Sequence, residues 1–360
     1  MERRDPDLIM DQLATYKELY SEELPGILLD PGIDKDRSNL KEVRTVYAIG
    51  NGDSLCAAQA AEYVFRKSSG VHFCPVAAFE FLHYVLPEIK QKDSSSVLIA
   101  GISASGGSAI VIEAIEKARS LFKDIKTAGV YGKNDSPLQR AAEYGESVQL
   151  KEMGRAPGIR TYAASVAGLC SIGCSIGEAQ NHASSYGREK IASFTMKSRE
   201  GVMRTIDESM KAGKILASFS DSAFITCVGC GPSAGTAAFS AAKIVEASGV
   251  SSIGQDLEEW NHVESFAYPL NSVMVIFANP GTSFKKADTL IRGAKAMGHR
   301  VVAVTPDTVH DFDTTADIVL PVYGPYDDLL SPLTQYIPGT VFSYHLAKSL
   351  KRAMFMTDRS

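Results

Sequence analysis

With 360 residues the chain is long enough for a large core and two domains. Its formal charge of -5 comes without a basic block, which argues against nucleic acid as a partner, and no apolar run approaches the ~20 residues of a membrane span. The opening Met-Glu-Arg-Arg-Asp-Pro lacks an apolar signal region, and the six cysteines lie in apolar segments rather than at disulfide-framework spacings, so a cytoplasmic, reduced protein is expected.

In chain order, residues 1–43 hold a lead-in helix and a linker. Leu8, Ile9, Leu13, Tyr16, Leu19 and Tyr20 recur at helical spacing over 7–24, and Pro25 is expected to stop that helix before a Pro- and Asp-rich stretch. A first subdomain spans 44–160. Its predicted strands are Val46–Ile49, Val71–Val76, Ser96–Ile102 and Thr127–Tyr131, with Val148–Leu150 closing the sheet. Between them lie helices through Lys67, over Ala78–Leu86 and over Gly107–Phe122. Residues 161–219 read as helical throughout and as a linker. A second subdomain spans 220–352, with strands Ala223–Val228, Val273–Phe277, Arg300–Thr305 and Ile318–Val322. Its helices are expected over Gly235–Ala247, Ser283–Met297 and Pro338–Lys351, and residues 353–360 form a tail expected to be loose. The alternation implies an α/β fold with two tandem, doubly wound αβα subdomains and parallel sheets, flavodoxin-like in type.

The two subdomains open on similar text. Gly50, Gly52, Ser54 and Gly70 fall in register with Gly229, Gly231, Ser233 and Gly249, each set framing a strand, a glycine turn and an alanine-rich helix. Cys227-Val-Gly-Cys230 matches C-x-x-C, but Cys227 lies inside a predicted strand and Cys230 takes the turn position that Asn51 fills in the first copy. A strand thiol in a repeat is the simpler reading than a redox or zinc site.

Two motifs carry chemistry. Gly101-Ile-Ser-Ala-Ser-Gly-Gly-Ser108 ends a strand and opens a helix, so Ser103, Ser105 and Ser108 bring three hydroxyls to free helix N–H groups, and Gly106 lets the backbone approach a ligand. The arrangement suits a phosphate monoester. Lacking a lysine after the glycines it is not a P-loop, and lacking G-x-G-x-x-G it is not a dinucleotide fingerprint. The alternative is a serine-rich helix cap without a ligand. The matching stretch of the second half, Ala278-Asn-Pro-Gly-Thr-Ser283, has lost the pattern, which suggests another role. The second motif is Lys243-x-x-Glu246 in the alanine-rich helix, followed sixteen positions after the glutamate by His262 in an acidic stretch read as a loop. A carboxylate in an apolar helix would be partly desolvated and would suit a general base, with Lys243 one turn away as its pair. The alternatives are a surface glutamate on an amphipathic helix and a solvated histidine.

Together these stretches make residues 40–350 resemble the sugar isomerase (SIS) domain family, above all the isomerase half of glucosamine-6-phosphate synthase and single-function deaminases and deglycases. Ser103–Ser108 matches the family's S-x-S-G-x-[ST] phosphate loop, Gly229-Cys-Gly231 its G-x-G turn, Lys243 and Glu246 its K-x-x-E helix, and Glu259-x-x-His262 its E-x-x-H segment. Gly50, Asn51 and Ser54 stand in the first-half loop, where Asn51-Gly52-Asp53-Ser54 replaces a Thr-Ser pair that helps hold the phosphate. His262-Val263 replaces a usual His-Gly, no glutaminase domain precedes the repeat, and the chain stops before the lysine that attacks the sugar carbonyl in the synthase. Lys348 and Lys351 are the nearest lysines in sequence.

The resemblance implies that a hexose phosphate docks on the serine turn, that His262 opens the ring, that Glu246 moves a proton between C1 and C2, and that Lys243 steadies the carbonyl oxygen. It implies no cofactor, no metal and a homodimer with the histidine segment reaching a neighbour, while the charge and the short apolar runs predict no nucleic-acid or membrane partner. Deaminase or deglycase chemistry on an amino-sugar or fructosamine 6-phosphate is expected, with aldose–ketose isomerisation or a non-catalytic sugar-phosphate sensor as alternatives. A nicotinamide oxidoreductase would explain the repeat but not the serines.

Overall fold

Every strand pairing in the two sheets is parallel. A computed structural model describes residues 4–154, 156–267 and 271–358, which divide into two units. The first comprises Glu22–Lys151 and Arg160–Met196; the second comprises residues 1–21, 152–159 and Lys197–Ser360.

The first unit holds β1 (Thr45–Gly50), β2 (His72–Ala77), β3 (Val97–Ser103), β4 (Lys126–Tyr131) and β5 (Tyr144–Ser147), in the order β2-β1-β3-β4-β5. The second holds β6 (Ile225–Val228), β7 (Ser252–Gln255), β8 (Val273–Phe277), β9 (Arg300–Pro306) and β10 (Ile318–Val322), in the order β7-β6-β8-β9-β10. Substituting β6 for β1 and so on gives one topology twice. Strands β3 and β8 are buried at every residue, because helices cover both faces of a parallel sheet. Ile49, Ile99, Val111 and Ile115 are among the residues that fill one face in the first unit. Val275, Val302, Ile244 and Phe342 fill one face of the second sheet, and Ile276, Val301, Leu290 and Trp260 the other.

The repeated text becomes a repeated backbone. Helices Asp53–Ser69 and Pro232–Ser248 are both 17 residues long. Their N-caps, Gly52 (φ 54°, ψ -126°) and Gly231 (φ 58°, ψ -127°), share a conformation closed to side-chain-bearing residues, and both helices stop at a left-handed glycine, Gly70 and Gly249.

Several expectations are corrected. Pro25 does not stop the N-terminal helix: the chain coils on through a π turn at Leu19–Glu23 into helix Leu24–Leu29, where a first-turn proline gives up no hydrogen bond. The last strand of the first sheet is β5, ahead of the expected 148–150, since Val148 closes the pairing by donating to the Tyr131 carbonyl at 2.8 Å. The 161–219 stretch is helical, as Ile159–Ala179, Arg188–Lys211 and Gly213–Ser218, with its residues through Met196 in the first unit and those from Lys197 in the second. Ile159–Ala179 is long and apolar enough to cross a membrane, yet 94% of its apolar window is buried. Within the first unit it packs closely at Gly177, where an added Cβ would stand 2.2 Å from the Ser68 carbonyl oxygen. The tail is not loose through Asp358: Met354 is fully buried and donates its N–H to the Arg4 carbonyl at 3.0 Å, while Arg359 and Ser360 lie outside the described residues. The stretch read as a loop around His262 contains β7 and helix Leu257–His262, capped by Asp256 through Glu258 N–H at 2.8 Å.

Candidate functional site

In an open parallel sheet, ligands bind beyond the carboxyl ends of the strands at the point where the strand order reverses. In the first unit that point lies between neighbours β1 and β3, which are in register at Ile49 and Gly101. The loops leaving these two ends are the Gly50–Ser54 turn and the Ser103–Ser108 turn. The structure thus places two of the expected groups on adjacent strand ends: Gly50, Asn51 and Ser54 on one, and Ser103, Ser105, Gly106 and Ser108 on the other.

The serine turn is built from both sides. Ser103 is buried at the end of β3, Ser105 is exposed and Ser108 is half-buried. Ser105 Oγ accepts from Gly107 N–H at 3.2 Å, and Ser103 Oγ accepts from Ser108 N–H at 3.3 Å. The Ser103 and Ser105 hydroxyl oxygens stand 3.4 Å apart. A hydroxyl oxygen that accepts from an amide keeps its own proton to donate to an anion. Ser108 is the N-cap of helix Ala109–Leu121 without capping it through its side chain, so the positive end of that helix stays open. The carbonyls turn the other way: Ala104 C=O accepts from Gly132 N–H at 3.1 Å and Gly106 C=O from Leu138 N–H at 2.9 Å. Gly106 is obligatory on two counts, with φ 66° and a would-be Cβ only 2.3 Å from Ser136 Oγ.

The same point in the second unit lies between β6 and β8, and there the protein fills it with its own side chains. Asn279, in the turn after β8, is buried and reaches Ser233 Oγ at 3.1 Å, Ser331 Oγ at 3.2 Å and Asp328 Oδ1 at 3.4 Å through its amide nitrogen. Gln335 donates to Asn279 Oδ1 and accepts from Ser233 Oγ at 3.0 Å. Tyr326 straps the turn by donating to the Pro280 carbonyl at 2.8 Å. The loss of the serine pattern is legible in the sequence, whereas the network that replaces it is not. Ser233, in register with Ser54, was the available signal.

Glu246 and Lys243 come together. Lys243 Nζ donates to Glu246 Oε2 at 2.5 Å, with the lysine side chain fully buried and the glutamate 30% exposed. The carboxylate lies in the last turn of helix Pro232–Ser248, where the helix dipole opposes a negative charge by about 0.3–1 kcal/mol, and the buried ammonium offsets this. Lys243 thus meets Glu246 as the helical spacing predicts, with its side chain fully buried. Glu259 and His262 sit on another element, the short helix Leu257–His262, and both are exposed. His262 Nε2 pairs with Glu258 Oε1 at 3.2 Å. Glu258 also binds Lys286, the largest cause holding its carboxyl below the usual range.

Lys348 is committed to Asp7, at 2.9 Å, and its hydrogen bond to that carboxylate pushes its pKa up, which is the wrong direction for a nucleophilic amine. Lys351 stands at a positive φ of 55° just past the last long helix. Burial pushes the Cys227 thiol up to about 12, so it is no thiolate near neutrality.

Comparison with known proteins fits this geometry. Residues 39–152, which span the first sheet and both of its loops, match the model of the SIS domain family. The glutamine–fructose-6-phosphate aminotransferase [isomerizing] of Nostoc sp. (strain PCC 9229) is 23% identical over 316 residues, covering 85% of this chain and 49% of the relative, so the chain spans about half that protein's length. The C-terminal domain of glucosamine-fructose-6-phosphate aminotransferase from Francisella tularensis superposes with a TM-score of 0.84 at 17% identity, covering 96% of each chain. A glucosamine-6-phosphate deaminase from Thermotoga maritima superposes with a TM-score of 0.71 at 16% identity, covering 95% of this chain and 94% of its own. Residues 39–152 thus carry the match to the SIS domain family, within a chain whose two-sheet fold is similar to that of the aminotransferase's C-terminal domain.

Proposed function

We propose that this protein is a phosphosugar enzyme acting on an amino-sugar or fructosamine 6-phosphate, as a deaminase or deglycase. The observation that carries the reading is the open three-serine turn at the strand-order reversal of the first sheet. It offers hydroxyl protons, a helix N-terminus and no side-chain bulk at Gly106, which is what a phosphate monoester needs. Binding energy at that remote group would orient the reacting carbons. Glu246 is the base that moves a proton between C1 and C2, and His262 is the acid–base that opens the ring. Conversion of an amino sugar to its imine then lets water release ammonia or an amine, without an attacking lysine. The commitment of Lys348 to Asp7 supports this over synthase chemistry.

A homodimer belongs to the same reading. Val263 and Phe266, 57% and 75% exposed, flank His262 and give the segment an apolar surface for a second copy. Simple aldose–ketose isomerisation uses the same residues, and the name of the Nostoc relative keeps it in play. The exposure of His262, 63% at the side chain, favours the second reading, a sensor that binds the sugar phosphate and does not turn it over.

The test is a thermal-shift panel of hexose phosphates, amino-sugar phosphates and fructosamine phosphates, followed by an ammonia or amine release assay on each hit. Stabilisation by phosphorylated sugars alone, with release of ammonia or amine, is expected. Equal stabilisation by free sugars would remove the phosphate-turn assignment, and binding without product would favour the sensor.

A further inference from the structure

Lys243 is a fully buried cation, and one carboxylate oxygen does not account for its surroundings. An ammonium taken out of water needs compensation on more than one side. A further side is an aromatic face. Lys243 Nζ lies 4.8 Å from the centroid of the Phe239 ring, one helical turn back on the same helix. Phe239 is itself buried and held in place: its ring meets Tyr336 at 5.6 Å, nearly edge to face at 83°. Tyr336 donates to Tyr16 Oη at 2.9 Å, and Tyr20 donates to the Leu333 carbonyl. Tyr16, Tyr20 and Tyr336 are all fully buried, so the ring has little room to turn.

We infer that Phe239 is a positioning residue, whose ring face and the Lys243 ammonium together form the socket that holds the Glu246 carboxylate in one orientation. This rests on Glu246 being the base of the proposed reaction. A ring face attracts a cation without offering it a proton acceptor, so Phe239 fills one side of the ammonium without competing with Glu246 for its protons. The tyrosines of the N-terminal segment support the ring from behind. An aliphatic side chain at 239 would fill the same space and supply no negative face.

The experiment uses the full chain with Phe239→Leu, Phe239→Met and Phe239→Tyr. Lysines are acylated with an activated ester and mapped by mass spectrometry, and turnover is measured on the best sugar phosphate. Lys243 is expected to stay unmodified in the parent and in Phe239→Tyr, and to react at least about tenfold faster in the Leu and Met variants while Lys126 and Lys295 keep their rates. In turnover, the same two variants are expected to lose kcat on the order of tenfold with KM unchanged, as displacement of a positioned group does, and Phe239→Tyr to retain it. Protection of Lys243 in both aliphatic variants overturns the socket. Phe239→Met, which nearly conserves volume, decides the matter if Phe239→Leu opens the whole protein and all lysines react together. If the parent turns over no sugar phosphate, the functional reading fails while the acylation result still decides whether Phe239 holds Lys243.

Discussion

The two strand-order reversals start from one backbone and end in opposite chemistry. Beside β1 and β3, serine hydroxyls accept from their own turn's amides and leave protons and a helix end facing outward. Beside β6 and β8, Asn279 and Gln335 bond each other and the serines around them, so the crevice is closed by side chains. The comparison teaches that a duplicated fold duplicates the place for a ligand but not the ligand. What decides is whether the polar groups at the strand ends satisfy one another or wait for an outside partner. A buried polar network fully satisfied by the protein adds rigidity; an unsaturated one at the surface adds binding.

The sharpest break between the two units comes from Glu246→Gln. It should lower turnover by about 10²–10⁴-fold while sugar-phosphate affinity, read by calorimetry, stays at the parent level, since the phosphate turn belongs to the first unit. A parallel loss of affinity would mean that the two functions are not divided in this way. The glycines of the two turns give the next contrast. Gly106→Ala forces a Cβ against Ser136 at a φ of 66°, whereas Gly281→Ala in the matching turn meets nothing within 4 Å and suffers only from its φ of 131°. Backbone strain alone costs about 1–3 kcal/mol, so Gly106→Ala should lower the melting temperature more than Gly281→Ala and should also abolish sugar-phosphate binding.

A finer contrast pairs Asn279→Ala with Ser105→Ala. The first strands buried hydrogen-bonding groups and should cost about 1–3 kcal/mol in denaturant unfolding, with ligand affinity unchanged. The second should leave stability alone and weaken phosphorylated ligands about tenfold, the loss of one hydrogen bond to a charged group. If Asn279→Ala weakened ligand binding instead, the second crevice would be a site after all.

A last contrast concerns Glu146, a carboxylate buried in β5 where β10 of the other sheet carries Leu320 at the equivalent register position. Burial pushes its pKa from the ordinary 4.5 up to about 8, against the pull of a hydrogen bond from Ser171. The folded state therefore keeps a proton that the unfolded chain has released, and stability falls as pH rises from about 4.5 to about 8, then levels off. Urea titrations of Glu146→Gln across that window should show a flatter dependence than the parent. An unchanged slope would place the titrating group elsewhere.

Much of this was legible in the sequence, for reasons that differ from residue to residue. The apolar strands β8 and β10 and the 17-residue helices are local patterns, with period and glycine punctuation written in the chain. The serine turn was legible because its function needs hydroxyls next to one another in sequence. The closure of the second crevice was not, because Ser233, Asn279, Ser331 and Gln335 meet only in space. Nor was the burial of Lys243, which depends on packing visible only in space: the Phe239 ring faces its ammonium, and Tyr336 packs on that ring. The helix Leu257–His262 was missed because its sequence is acidic and short, and it is the Asp256 cap and the burial of Trp260 that fix it.

The sealing of Lys243 has one more consequence. Mobile counterions cannot come between an ammonium without exposed surface and the carboxylate it holds. Concentrated salt would loosen a solvent-bathed pair such as Lys17–Glu200, both more than half exposed, and leave Lys243–Glu246 in place. The protein therefore carries a charge pair that high ionic strength does not dissolve.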